Sequence, residues 1–190
     1  IDLDMAAMAP TFYTGNAHKW LCAPKGAAFL YVAPGQEPDL EPLVVSHGWS
    51  GETGSKLTDY YSWTGTMDPS AYLAVPAAIQ FQHDHDWQTV RAACHQRAID
   101  LRNRIQALTD LPPICPDDSA GGYRWFAQMV TARMPPGSAE ELRARLWCEF
   151  KVEVPVTGYH DQPLLRVSLQ AYNTQNDIER LCKALTTIVE

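Results

Sequence analysis

The segment TGNAHKWLCAPKGAAFL, residues 14–30, sets His18 and Lys19 between a polar turn (Thr14, Gly15, Asn16) and the bulky pair Trp20 and Leu21. A lysine in such a setting has two readings. It is a solvated surface cation, or it is partly desolvated, which lowers an ammonium pKa and suits the amine to base or Schiff-base chemistry. Elsewhere the chemistry-bearing patterns are sparse. HDHD (83–86) offers His83 and His85, but two residues apart they do not share a helix face, so no metal site is expected. Ser46 and His47 lack both an acidic orienting partner and a G-x-S-x-G elbow, which argues against a hydrolase. Arg166 stands in the apolar run LLRVSL, where an unpaired charge would be costly.

Four segments in order resemble one family. TGNAHKWLCAPKG (14–26) resembles the cofactor-lysine segment of class V aminotransferase-like enzymes, which use pyridoxal phosphate (PLP) and have the type I fold. SHGW (46–49), WTGTMDPSAYLAVPAA (63–78) and RVSLQAYNTQNDIERL (166–181) extend the likeness, closest to the isopenicillin N epimerase-like branch. The resemblance implies that Lys19 forms the internal aldimine with PLP, and that Asn16 and His18 contact the phosphate or orient the lysine. It implies that Gly65 and Thr66 reach the PLP phosphate of a partner subunit in a homodimer with shared sites, and that Arg166 binds the substrate α-carboxylate. Guanidinium suits that task by donating two parallel hydrogen bonds. The implied function is α-carbon chemistry on an amino acid, epimerisation or racemisation first. The alternatives are a C–S lyase or cysteine desulfurase-like activity, an aminotransferase, or an inactive remnant serving as a binding or dimerisation module.

The cysteine desulfurases carry a mobile-loop cysteine shortly before the substrate arginine. Residues 151–165 here hold none, and Cys148 falls on an expected helix, so desulfurase activity is disfavoured. The aspartate that faces the pyridine nitrogen in the family matches neither Asp2 nor Asp4 and is expected upstream of Ile1. The chain therefore reads as the C-terminal half of a type I PLP-dependent transferase fold, inactive or weakly active alone.

The elements that must position these residues read as α/β. Residues 27–32 (AAFLYV) suit a buried strand, and 34–66 a long loop rich in Pro, Gly, Ser and Thr. Asp68 with Pro69 signals a helix start, Pro76 falls early in that helix or kinks it, and HDHD breaks it. A helix over 87–108 carries the apolar stripe Val90, Cys94, Ile99, Leu101 and Ile105, with Arg91, Arg97, Arg102 and Arg104 opposite. After LPPICP (111–116) come a strand (125–131), a helix from the capping residue Ser138 to about 150, strands at 152–156 and 164–169, and a last helix capped by Thr174 or Asn176. This β-α-β-β-α order suggests a small sheet covered by helices. Three parts follow: 1–68 as the trailing part of the large cofactor domain, 69–108 as bridging helices, and 109–190 as a small C-terminal α/β domain.

Composition narrows the classes. Of 190 residues 46% are hydrophobic and 19% charged, which allows a globular core. A net charge of -7 opposes a nucleic-acid partner, and no apolar run is long enough to span a membrane. Five scattered cysteines without zinc spacing suit reduced thiols in the cytoplasm.

Overall fold

The computed structural model describes residues 3–37, 40–51, 54–116 and 125–189. Two compact units divide the chain, one running to His85 and the other from Asp86.

In the first unit, Asp4 opens the short helix α1 (Met5–Met8), its Oδ1 accepting from the amides of Ala6 and Ala7. Strands β1 (Phe12–Asn16) and β2 (Ala28–Val32) pair antiparallel, with Phe12 opposite Val32 and Asn16 opposite Ala28. The strand expected over 27–32 is present as β2, but it is not buried: within β2 only Val32 is, while Phe29, Leu30 and Tyr31 are exposed. A two-stranded hairpin has no second layer of its own, so its apolar faces stay open among the described residues.

The stretch 34–66 is likewise not all loop. It holds a 3-10 turn at His47–Ser50 and helix α2 (Lys56–Ser62), started by Ser55, whose side chain accepts from the Thr58 amide. Serine at that site satisfies an amide left orphaned in the first helical turn. Positions 38, 39, 52 and 53 of this stretch lie outside the described residues.

The next helix starts one residue later than the sequence suggests. Pro69 occupies the cap position of α3 (Ser70–Leu73), and the Asp68 carboxylate accepts from the Ser70 amide (2.9 Å) and hydroxyl. Pro76 sits in the first turn of a separate helix, α4 (Val75–Asp84), where its missing N–H costs nothing. HDHD does end this helix. His85 is its C-cap, stacked on Phe81, and Asp86 takes a left-handed conformation before α5 (Trp87–Thr109).

The second unit is a helix-covered sheet. Its elements are α5, β3 (Met129–Arg133), α6 (Ala139–Phe150), β4 (Val156–Tyr159), β5 (Gln162–Ser168) and α7 (Gln175–Val189). The antiparallel sheet runs β3-β5-β4. Ser138 caps α6 by accepting from the Glu141 amide. Thr174, rather than Asn176, caps α7: Thr174 Oγ1 accepts from the Asp177 amide, and the Asp177 carboxylate accepts from the Thr174 amide.

Three expectations shift. The first strand begins at Met129 and leaves Trp125 exposed. The 152–156 strand begins only at Val156 and runs to Tyr159. A turn through His160 and Asp161, both at positive φ, then joins it to β5; this two-residue left-handed connection matches strand twist and is hidden when no glycine marks it. Arg102, assigned to the polar face of α5, is buried instead, its guanidinium 5.2 Å from the Phe126 ring centre and near Cys115 Sγ. The planar, weakly hydrated guanidinium packs against an aromatic face as an ammonium would not.

The core joins Ala98, Leu101 and Ile105 of α5 to Val130 and Ala132 of β3, Leu146 of α6, Leu165 and Val167 of β5, and Leu181 and Leu185 of α7. Each such leucine or isoleucine contributes about 1.5–3 kcal/mol by burial. Half-exposed ion pairs such as Arg104–Glu179 add far less, so the apolar layer holds this unit together. Among the described residues no helix is long and apolar enough to cross a membrane.

Candidate active site

Lys19 lies at the tip of the connection between β1 and β2. The ladder continues one step past the strands, with the Ala17 amide donating to Ala27 O (3.0 Å). The Ala23 amide then donates to Ala17 O (3.1 Å), closing an inner loop, and the Cys22 amide donates to Lys19 O (3.0 Å), closing a tight turn. Ala17, Ala23 and Ala27 bury together under Leu21, Ala71, Val75 and Ala78, so α3 and α4 seat on the base of the loop. Alanines at these three places allow that close approach. Gln82 of α4 donates to Trp20 O (3.1 Å) and pins the far side.

The backbone under Lys19 is thus tied on both flanks while its side chain is exposed. The partly buried setting, one of the two sequence readings, is not met among the described residues, because Lys19 and Trp20 are both exposed. No carboxylate pairs with Lys19 among the described residues. Beside it His18 is half-buried, and its Nδ1 is shut from solvent without a hydrogen-bond partner. Asn16, the last residue of β1, is exposed.

Gly65 and Thr66 lie between α2 and α3 in the same unit. Gly65 has φ +137°, a conformation that favours glycine, and no atom stands within 4 Å of where a Cβ would be. Thr66 is exposed. SHGW is the 3-10 turn pressed onto α2. Gly48 meets the Asp59 backbone there, and Trp49 stacks on Tyr60 with ring centres 5.0 Å apart at 18°. Asp59 is buried, a carboxylate that the sequence reading passed over because nothing in KLTDYYS marks it.

Arg166 belongs to the second unit. Along β5, Pro163, Leu165 and Val167 are buried while Arg166 and Ser168 are exposed. The alternation relieves the expected cost of a charge in an apolar run, since the guanidinium takes the open face. No side-chain partner of Arg166 exists among the described residues. A cleft of about 460 Å³ borders it, lined by Ser168, Lys151, Glu153, Asn173, Asp177 and Arg180 together with apolar residues. Cys148 is exposed on α6, and 151–165 hold no cysteine.

The structure therefore gathers Asn16, His18 and Lys19 at the turn end of one hairpin, places Gly65–Thr66 elsewhere in that unit, and sets Arg166 on the sheet of the other. The first group fits pyridoxal phosphate. It combines a primary amine without a counter-ion and a buried ring nitrogen with an unmet hydrogen bond.

No family model matches the chain. It is 38% identical over 197 residues to isopenicillin N epimerase of Amycolatopsis lactamdurans, covering 97% of this chain and 48% of that protein. It is 29% identical to a probable chloroplastic L-cysteine desulfhydrase of Arabidopsis thaliana, over 100% of this chain and 42% of that one. Among solved structures, a cysteine desulfurase from Thermococcus onnurineus superposes with a TM-score of 0.75 at 18% identity, over 97% of this chain and 48% of its own. A C-DES mutant with glycine covalently linked to its PLP cofactor superposes at 0.72 and 19% identity, again over 97% and 48%. The chain spans about half the length of the curated relatives it matches. The fold is accordingly a mixed α/β chain equivalent to about half of a type I PLP-dependent enzyme.

Proposed function

We propose that this chain, isopenicillin N epimerase-like over nearly its whole length, is part of a PLP-dependent enzyme that acts at the α-carbon of an amino acid, with epimerisation or racemisation as the reaction. The observation that carries the reading is the 38% identity across 97% of the chain, which includes the Lys19 loop. When bound, PLP supplies an electron sink for the substrate α-carbon. Lys19 would hold the cofactor through its amine and, once released by a substrate amine, move the proton at the α-carbon. The unpartnered His18 Nδ1 and the exposed Asn16 side chain would orient the lysine or meet the phosphate. Gly65 leaves open space above its backbone, and the neighbouring Thr66 hydroxyl can donate to a phosphate oxygen; both would serve the partner's cofactor in a homodimer. Arg166 would take the α-carboxylate. Residues 1–68 would close the cofactor domain, 69–108 bridge, and 109–190 form the small domain. Five cysteines, none of them in a disulfide among the described residues, suit the reducing cytoplasm.

The likeness to a cysteine desulfhydrase supports a second reading, C–S bond cleavage. Both readings require the cofactor. The full-length enzyme should develop the visible absorbance band of bound PLP, and Lys19→Ala should abolish it; an unchanged spectrum in the variant refutes the assignment of Lys19. Incubation with amino acids in deuterated water then separates the reactions. Exchange at the α-carbon without sulfide or keto acid marks racemisation, and sulfide release marks lyase chemistry.

A further inference from the structure

The ladder around Arg166 identifies which side chains flank it. Leu169 donates its amide to Gln128 O (2.8 Å), and Met134 donates to Pro163 O (2.9 Å). In the β3·β5 register Thr131 lies opposite Arg166, Met129 opposite Ser168 and Arg133 opposite Leu164. Antiparallel pairs alternate between bonded and non-bonded, so the bonds at 128·169 and 134·163 make Thr131·Arg166 a non-bonded pair. Such pairs bring side chains closest, with Cα atoms about 4.5 Å apart. Ser168, two residues on along β5, shares the face of Arg166.

Two hydroxyls therefore border a guanidinium that has no counter-ion. Neither the Thr131 nor the Ser168 side chain has a hydrogen-bond partner among the described residues. Beyond Arg166, whose amide reaches Pro155 O (3.0 Å), β4 no longer accompanies β5, and the Ser168 amide is left as a further donor on the open edge.

We propose that Thr131 and Ser168 are specificity-determining residues for the substrate carboxylate, built around Arg166 by the register of this sheet. The inference rests on the reading of Arg166 given above. Guanidinium has only donors, so a hydroxyl lone pair can accept from it and hold its rotamer. The same hydroxyl can donate to a carboxylate oxygen. Threonine at position 131 adds a stiff χ1, which fixes where its oxygen stands.

The test uses full-length holoenzyme. Proteinogenic L-amino acids are screened by change in cofactor absorbance, and the tightest binder is compared with the amine made by its decarboxylation. Thr131→Val preserves shape and strand preference but removes the hydroxyl. It should raise the dissociation constant for the amino acid about 3- to 30-fold and leave that for the amine, and cofactor affinity, unchanged. Thr131→Ser should recover most of the loss, and Ser168→Ala should act in the same direction. Wild-type affinity in both Thr131→Val and Ser168→Ala, or equal weakening of amino acid and amine, overturns the proposal. Arg166→Lys separates the two levels. If it leaves amino-acid binding unchanged, or if no amino acid binds the wild type, the reading of Arg166 fails and this inference falls with it. If Arg166→Lys weakens binding and the hydroxyl variants do not, only this inference fails.

Discussion

Gly48→Ala should unseat the SHGW turn from α2. A Cβ at position 48 would stand 1.6 Å from Asp59 O, 2.4 Å from its carbonyl carbon and 3.0 Å from its Cα. Non-bonded heavy atoms settle near about 3.5 Å, so turn and helix must part by about 2 Å. All three atoms are backbone and cannot rotate aside. Overpacking costs about 1–3 kcal/mol, and a clash against fixed backbone belongs at the upper end. The displacement also separates the Trp49–Tyr60 stack and opens water to the buried Asp59. For a unit of this size about 3 kcal/mol corresponds to a fall in melting temperature of at least about 10 °C. Hydrogen exchange read by mass spectrometry should show lost amide protection over α2, with the β1–β2 hairpin little changed. Ser50→Ala is the control. It removes only the exposed hydroxyl bond to His47 O and should cost no more than about 1 kcal/mol. Unaltered melting and α2 protection in Gly48→Ala would refute the claim that contact, rather than loop flexibility, demands glycine here.

Other outcomes follow from the second unit. Leu165→Ala, at a fully buried site in the central strand, should cost about 2–5 kcal/mol by chemical denaturation, chiefly through the cavity it leaves. Ser138→Ala removes the α6 cap and should cost about 1 kcal/mol, with Ser138→Asp retaining most of the stability. Arg104 and then Gln175 donate to Glu179 and hold its carboxyl down from 4.5 to about 2. A pKa lowered by folding gives stability that is present above the unfolded value near 4.5 and lost as pH falls through about 2. Denaturation midpoints should therefore decline across that window, and Glu179→Gln should flatten the decline.

Local chemistry made much of this chain legible. Ser138, Thr174 and Pro76 each satisfy or tolerate an orphaned amide within one helical turn, so helix starts could be read from a few adjacent residues. The β-α-β-β-α order that follows α5 in the second unit came from apolar periodicity in the same way. Lys19, Gly65–Thr66 and Arg166 stood out through ordered segments of family likeness. That likeness names residues, and says nothing of their surroundings in this chain.

Tertiary structure decided what depends on distant partners. AFLYV is a strand by composition, yet whether it is buried depends on layers that a two-stranded hairpin does not supply. Arg102 has the polarity of a surface residue and is buried because Phe126, 24 positions later, offers its ring. Thr131 carries no signal in WFAQMVT, and only pairing across 35 positions sets it beside Arg166. Helix caps are settled by neighbours in sequence, whereas burial and cross-strand position are settled by long-range register. The amino-acid sequence by itself therefore singled out Lys19 and Arg166 as candidates, and the fold determined what surrounds them.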